Sequence, residues 1–464
     1  MRLPPEETER LARFWFGRRE ELLRALEGTP SPAYLLEPEV LRERARRFRR
    51  TFEARLEDCA FYYALKCNDR PEVARILLEA GYGLDVSGGR ELDLALRLGA
   101  EDLIFSGPGK TGEELALAAE HSRRVTVLLD GFGELERLDR AAAAGDTEIR
   151  AGVRLSTDPS GLWGKFGIPP ESLPAFLREA RRHPRVRLSG LQFHTSWNRS
   201  PRAQLDFLRI LEPILAAVPP EELPRLEFLD VGGGYWPEWG EWLREEPAAG
   251  SPSEDSSPAD PSPLDHRLLP AAPLEDYAEA LAGAIPRSLG RLWPCGVRFE
   301  PGRWICDPAL HLRLTVVDRK GPDLAIVDGG INAIGWDRFE TDYCPILNLT
   351  RPSLRERPFR ILGSLCTPHD LFGLSCFGED LLPGDALLIP RQGAYTLSLA
   401  QSFIKGVPPV VELPPEGPRS DVPRRLRPSA GPPPSTSTGN APPREGRRPF
   451  GAESLGNQKD TFRP

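Results

Sequence analysis

The chain has 464 residues, 40% hydrophobic and 28% charged, a soluble globular composition with room for two or three domains. A formal charge of −8 and a pI near 5.6 argue against a general nucleic-acid or membrane-surface role. No apolar run reaches the length of a membrane span, the N-terminus has no signal-peptide core, and seven scattered cysteines make no CxxC pair, so no zinc or other metal site and no disulfide framework is suggested and a reducing cytoplasm is expected.

Residues 1–30 read as one amphipathic helix with Leu11, Phe14, Leu22, Leu23 and Leu26 on its apolar side. From Ser31 a rhythm of strand then helix begins. Strands are expected at Ala33–Leu36, Ala60–Leu65, Gly83–Val86, Leu103–Ser106, Val125–Leu129, Ile149–Leu155, Leu188–His194 and Leu226–Val231. Helices fill the gaps, at Pro38–Phe52, Pro71–Ala80, Gly89–Leu98, Gly112–His121, Phe132–Ala144, Leu173–Arg182 and Ala203–Ala217. Eight alternations predict an α/β fold, a (β/α)8 barrel over residues 31–290, in which chemistry sits where strands end. Residues 248–263 are Pro, Ser, Ala and acid and cannot bury a core, so they read as a disordered insertion in a barrel loop. The helix Leu274–Leu289 and the strand Cys295–Glu300 resume the rhythm. Residues 291–413 turn β-rich, with strands at Leu312–Arg319, Leu324–Asp328, Phe359–Leu365 and Ala386–Pro390, and predict an all-β second domain. The Pro/Arg-rich stretch 414–464 reads as a disordered tail.

Several strand ends carry side chains suited to chemistry. Lys66 closes the apolar run Ala60–Leu65, where an ammonium is either paired, chemically used as a Schiff-base nucleophile of lowered pKa, or snorkelling to water. Asp85, Ser106, Arg154, His194 and Gly232 end other strands. Gly232, Gly233 and Gly234 let backbone approach a phosphate and offer N–H donors. Glu300-Pro301-Gly302-Arg303 sets a carboxylate beside a guanidinium fork, which is either a ring-nitrogen and anion site or a turn with a surface ion pair. His194 either fills core or stacks on a flat cofactor. Cys366 is either an acid or a buried hydrophobe, and Tyr395 either donates to a phosphate or fills core.

In this order the segments resemble the fold-type III pyridoxal-phosphate decarboxylases (ornithine, arginine and diaminopimelate decarboxylases), with alanine racemases as distant relatives. The motifs are Tyr63-Ala64-Leu65-Lys66, Gly83-Leu84-Asp85-Val86-Ser87, Lys165-Phe166-Gly167, His194, Gly232–Gly234, Glu300-Pro301-Gly302-Arg303, Cys366 and Gly393-Ala394-Tyr395-Thr396, over roughly residues 31–412. The resemblance implies an alanine-racemase-type barrel followed by a β-domain that completes the active site, with pyridoxal 5'-phosphate held by Lys66 as a Schiff base. Asp85 would belong to the cofactor site, His194 would stack on the ring, and Glu300 would face the ring nitrogen. Gly232, Gly233, Gly234, Arg303 and Tyr395 would hold the phosphate, and Arg303 would also approach the substrate carboxylate. Cys366 would reach the partner's site and help protonate the carbanion, so a homodimer with shared sites is expected, acting on a small-molecule amino acid.

The chain departs from that pattern around the substrate. Thr367 stands where the diamino-acid enzymes place an acid, and Asp370 remains at the later acidic position. The arginine-plus-tyrosine pattern of the diaminopimelate enzymes is replaced by Asn332-Ala333-Ile334-Gly335-Trp336-Asp337-Arg338, leaving Arg338 nearby as a substrate candidate. Thr195-Ser196-Trp197 replaces a small Gly-Ser phosphate turn. The expectation is a decarboxylase whose substrate is not plain ornithine or diaminopimelate. A racemase or other pyridoxal-phosphate reaction on the same scaffold, or a non-catalytic regulatory relative, are the alternatives.

Overall fold

The computed structural model describes residues 5–238, 241–244, 266–292, 294–335 and 345–414. All of the expected insertion, all but one residue of the expected tail, and Arg338 lie outside them.

The strand nearest the N-terminus, β1 (Ala33–Leu36), is buried and apolar throughout, as expected of a barrel strand. It nevertheless joins the other sheet. The barrel starts one strand later and closes through β2 (Cys59–Ala64), β3 (Gly83–Val86), β4 (Leu103–Phe105), β5 (Val125–Leu129), β6 (Ile149–Leu155), β7 (Val186–Phe193), β8 (Phe228–Asp230) and a last strand, Gly296–Phe299. All eight pairings are parallel, and Gly296–Phe299 bridges β8 and β2. The expected limits of 31 and 290 therefore move inward at one end and outward at the other. The cause is that a short all-apolar run shows burial but not its pairing partner.

Between β8 and the last barrel strand lie β9 (Glu241–Arg244) and β10 (His266–Leu269). They pair antiparallel on either side of the segment read as disordered. The last barrel strand is thus β11. The second sheet adds β12 (Leu310–Arg319), β13 (Leu324–Val327), β14 (Leu347–Asn348), β15 (Glu356–Leu362), β16 (Leu371–Phe377), β17 (Ala386–Ile389) and β18 (Val410–Glu412), in the order β13-β15-β16-β14-β17-β12-β1-β18. β14, β16 and β18 carry no clear strand pattern in the sequence, being short or carrying Gly and Ser within the run.

The expected single N-terminal helix is two, Pro5–Gly17 and Arg19–Leu26. Gly17 offers little helix propensity. Arg18 donates to Glu37 at 2.8 and 3.0 Å, and Glu37 in turn meets buried His311 at 2.7 Å. This buried network ties the first helices to β12 and draws Arg18 out of helical register.

Two cores fix the barrel. Outside it, Phe48 and Phe52 of the helix Pro38–Glu53 pack edge-on and tilted against Phe299 and Tyr235. Inside it, Tyr62, Ile104, Leu128 and Phe228 form a separate packed layer. The Arg298 guanidinium lies 3.5 Å over the Phe228 ring. This plug makes the barrel a solid support for the residues at its C-terminal rim.

Candidate active site

β2 ends at Ala64, and a single 3₁₀ turn, Leu65–Cys67, carries Lys66. Asp85 is the register partner of Ala64 on β3, so its carboxylate reaches the same rim. Lys66 Nζ donates to Asp85 Oδ2 at 2.7 Å, and the Ser106 hydroxyl donates to the other oxygen. Arg154 donates to the Ser106 carbonyl at 3.2 Å. The lysine is therefore paired. Its expected lowering of pKa is reversed: burial pulls it down, but the carboxylates of Asp85 and Glu300 outweigh burial and raise it above its ordinary value. Burial, with Glu300 adding, raises the Asp85 carboxyl, while Lys66 and Ser106 oppose that shift. The Asp85 carboxylate therefore holds the proton on the Lys66 ammonium.

Removing that carboxylate has a defined sign. In Asp85→Asn the largest raising influence disappears while desolvation stays, so the Lys66 pKa is expected to fall. The pH dependence of reductive methylation at Lys66 measures it, and an unmoved or raised pKa contradicts the pairing.

Glu300 follows β11 and is almost fully buried. Burial pushes its carboxyl up, but the His194 contact and the charges of Lys66 and Arg154 hold it below the usual carboxylate range. His194 Nδ1 sits 3.6 Å from Glu300 Oε2 and accepts the Gly233 N–H at 3.2 Å. Burial chiefly lowers the ring's pKa, and the Glu300 contact opposes that shift. Gln192 Nε2 donates to Glu300 Oε1 at 3.4 Å. Glu300 Oε2 is buried with no hydrogen-bond partner.

The glycine turn closes the same rim. Gly232 and Gly234 have φ of +68° and +76°, conformations strained for side-chain-bearing residues. A Cβ at Gly233 would stand 2.2 Å from the Glu300 carbonyl oxygen, so the turn can approach β11 only as glycine. Asp230 anchors it by accepting the Gly232 N–H at 2.8 Å, and Glu300 N donates to the Gly232 carbonyl at 2.9 Å.

Arg303 and Tyr395 arrive from the chain beyond β11. The Arg303 guanidinium lies 4.4 Å from the Trp236 ring centroid and 5.0 Å from that of Tyr395. Tyr395 has φ +55°, and its N–H donates to the Cys67 carbonyl at 2.8 Å. Asn68 Nδ2 donates to the Gly393 carbonyl at 2.9 Å, and the Ser398 hydroxyl to the Cys67 carbonyl at 3.2 Å. The lysine turn and the 393–398 loop are one hydrogen-bonded unit.

The structure thus brings Lys66, Asp85, His194, Gly232–Gly234, Glu300, Arg303 and Tyr395 to one end of the barrel. Two other expectations change. Cys366 is exposed on the loop after β15, so it is not the buried hydrophobe of the alternative reading. Asp370 is buried, and its two oxygens accept the Ile331 and Leu365 N–H groups at 2.7 and 2.6 Å. Its expected role as a substrate ligand gives way to anchoring its own loop, because both oxygens are engaged by backbone amides. Arg338 lies outside the described residues. Asn68, Gln192, Asp230 and Trp236 join the site without being among the expected residues. Gln192 was findable, two residues before His194 and so on the same face of its strand, and Asp230 by its place before the glycines.

These groups fit pyridoxal phosphate. An ammonium faces a carboxylate, a buried carboxylate holds one oxygen unpaired, a glycine-only turn closes the rim, and an arginine lies over Tyr395. Residues 39–306 match the family model described as pyridoxal-dependent decarboxylase, pyridoxal binding domain. The chain is 26% identical over 391 residues to the diaminopimelate decarboxylase of Methanothermobacter thermautotrophicus, covering 80% of this chain and 84% of that one. It is 24% identical over 407 residues to the L-glutamyl-[BtrI acyl-carrier protein] decarboxylase of Niallia circulans, covering 82% and 88%. Among solved structures, the diaminopimelate decarboxylase of M. jannaschii with L-lysine superposes at TM-score 0.70, with 21% identity and coverage of 84% and 89%. The lysine/ornithine decarboxylase of Vibrio vulnificus with putrescine superposes at 0.68, with 23% identity and coverage of 85% and 98%. Both share the parallel barrel followed by a β-domain.

Proposed function

The chain belongs to the pyridoxal-dependent decarboxylases, amino-acid carboxy-lyases, and from that premise we propose that it decarboxylates an amino acid other than plain ornithine or diaminopimelate, with Lys66 as the cofactor lysine. Lys66 would hold the aldehyde carbon of pyridoxal phosphate, Glu300 its ring nitrogen, and His194 its ring face. The Gly232–Gly234 backbone, Arg303 and Tyr395 would hold its phosphate. Bound there, the cofactor supplies an electron sink for the pair released as carbon dioxide leaves.

The protein's own groups prepare that chemistry. Asp85 Oδ2, 2.7 Å from Lys66 Nζ, fixes the amine at the rim where the cofactor aldehyde would meet it. Glu300 stays anionic because His194, Lys66 and Arg154 offset its burial, so it can keep a facing ring nitrogen protonated. Cys366, exposed on the β-domain, would complete a second copy's site as proton donor. The exposed Leu399, Phe403 and Ile404, just after Tyr395, suit a face covered in such a homodimer.

One observation carries the substrate reading. Thr367 replaces the expected acid, and Asp370 spends both oxygens on backbone amides, so the 363–370 loop offers no free carboxylate to a distal ammonium. Burying that ammonium unpaired would be costly. A panel of L- and D-amino acids incubated with the protein and pyridoxal phosphate, read by mass spectrometry for loss of carbon dioxide, tests this. An amine from an acidic, aromatic or amide-linked member, with ornithine and diaminopimelate poor by comparison, is expected. Ornithine or diaminopimelate as the best substrate overturns the substrate reading. Inversion without amine overturns decarboxylation in favour of racemization.

A further inference from the structure

Cys67 and Cys306 are free, fully buried thiols whose sulfurs lie 3.3 Å apart. They are far apart in sequence and are brought together by the fold. Cys67 directly follows Lys66 within one 3₁₀ turn, and Cys306 ends the short helix Arg303–Cys306. Each sulfur therefore shares a single turn with a residue assigned above to the cofactor. The Cys306 thiol donates to the Gly393 carbonyl at 3.2 Å and meets the Tyr63 hydroxyl at 3.4 Å.

We propose that Cys67 and Cys306 are an oxidisable dithiol, closed to a disulfide by peroxides, and that closure draws Lys66 and Arg303 out of cofactor-holding register. The coupling to the cofactor rests on the reading of Lys66 given above. Cys306 is the donor to Gly393, and burial and its neighbours push its thiol well above the ordinary range, so Cys67 is the thiol attacked. Its sulfur, as thiolate, displaces hydroxide from hydrogen peroxide to give a sulfenic acid, and hydroxide with the thiol proton makes water. The Cys306 sulfur then displaces the sulfenic oxygen, which leaves as a second water with the Cys306 proton. Two thiols are oxidised and one peroxide is reduced.

A disulfide needs the sulfurs at about 2.05 Å, so they must close by about 1.2 Å. The surroundings decide where that movement goes. Gly393 abuts Cys306 so closely that a Cβ there would be 1.8 Å from the Cys306 carbonyl oxygen. The Cys67 carbonyl is held by Tyr395 N and the Ser398 hydroxyl. The contraction is borne by the Leu65–Cys67 and Arg303–Cys306 turns, and with them by Lys66 and Arg303. Displacements near 1 Å at a positioned group cost about 100-fold in function.

The test uses the full chain carrying Cys366→Ser, so that the exposed thiol does not report. Peroxide treatment followed by non-reducing digestion is expected to yield one peptide pair linked through Cys67 and Cys306, two hydrogens lighter than the free peptides. Affinity for pyridoxal phosphate, read by its absorbance, should fall by about 10- to 100-fold and return with dithiothreitol. The same chain with Cys306→Ala, or with Cys67→Ala should that variant fail to fold, should keep its affinity through the treatment. No linked pair under peroxide, or a linked pair with unchanged affinity, overturns the proposal, as does equal loss in the alanine variants. Untreated protein that takes up no pyridoxal phosphate overturns the cofactor reading and with it the coupling, whereas the linked peptide decides the disulfide independently.

Discussion

Lys66→Ala is expected to lose the visible absorbance of lysine-bound pyridoxal phosphate and to lower decarboxylation by on the order of 10⁴-fold or more. The amine is the group that would join the cofactor, and two other described lysines are engaged elsewhere. Lys110 is committed to Glu134 at 2.7 Å and to the Leu128 carbonyl at 2.8 Å, and Lys165 sits 4.8 Å from the Phe166 ring. The variant should fold. Lys66 is about one-third exposed, so its truncation opens no sealed cavity, though Asp85 loses its cation and stays buried. That loss raises the Asp85 carboxyl further, since Lys66 is the chief influence opposing its burial. Circular dichroism separates a folded, colourless protein from an unfolded one. A folded Lys66→Ala protein with an unchanged visible spectrum contradicts the cofactor assignment.

Gly393→Ala is the expected largest effect from a residue with no chemistry of its own. Its Cβ would stand 1.8 Å from the Cys306 carbonyl oxygen and 2.6 Å from the carbonyl carbon. Both are backbone, so no flexible side chain can yield. The Gly393 carbonyl also accepts from Asn68 Nδ2 and from the Cys306 thiol, and any retreat breaks those bonds. Overpacking of this kind costs about 3 kcal/mol. The loop that moves carries Tyr395, whose N–H holds the Cys67 carbonyl. Urea unfolding should show the loss in stability, and cofactor titration should show a parallel loss in affinity. Wild-type values in both would mean that the loop and the lysine turn are not one unit.

Much of the barrel was legible because its strands are continuous apolar runs that end at chemistry-bearing residues. Val125–Leu129 and the helix Phe132–Ala144 fall where periodicity puts them. The site residues were legible one by one, through residue types that are rare at such positions: a lysine after buried apolar sequence, a run of three glycines after a strand, a glutamate and an arginine astride Pro-Gly. What failed shares a cause. Ala33–Leu36 looks like a barrel strand because burial on all sides gives the same pattern in either sheet, and its partners, Leu310–Arg313 on β12 and Val410–Glu412, are hundreds of residues away. Asp370 looked like a ligand for the substrate because an acid in a polar loop carries no mark of whether backbone amides consume it.

The sequence by itself determined which residues could do chemistry and the alternation that builds the barrel, since both follow from residue type and local period. Only the tertiary structure decided which charges offset one another. Lys66 has a raised pKa because Asp85 lies 2.7 Å away, although composition and burial predict the opposite sign. Glu300 is held anionic by His194, Lys66 and Arg154, which converge on it from β7, the turn after β2, and β6. Cys67 meets Cys306 for the same reason. Electrostatic coupling and sulfur contact depend on distance in space, and chain closure places residues far apart in sequence within a few ångströms of each other, an outcome that no local pattern records.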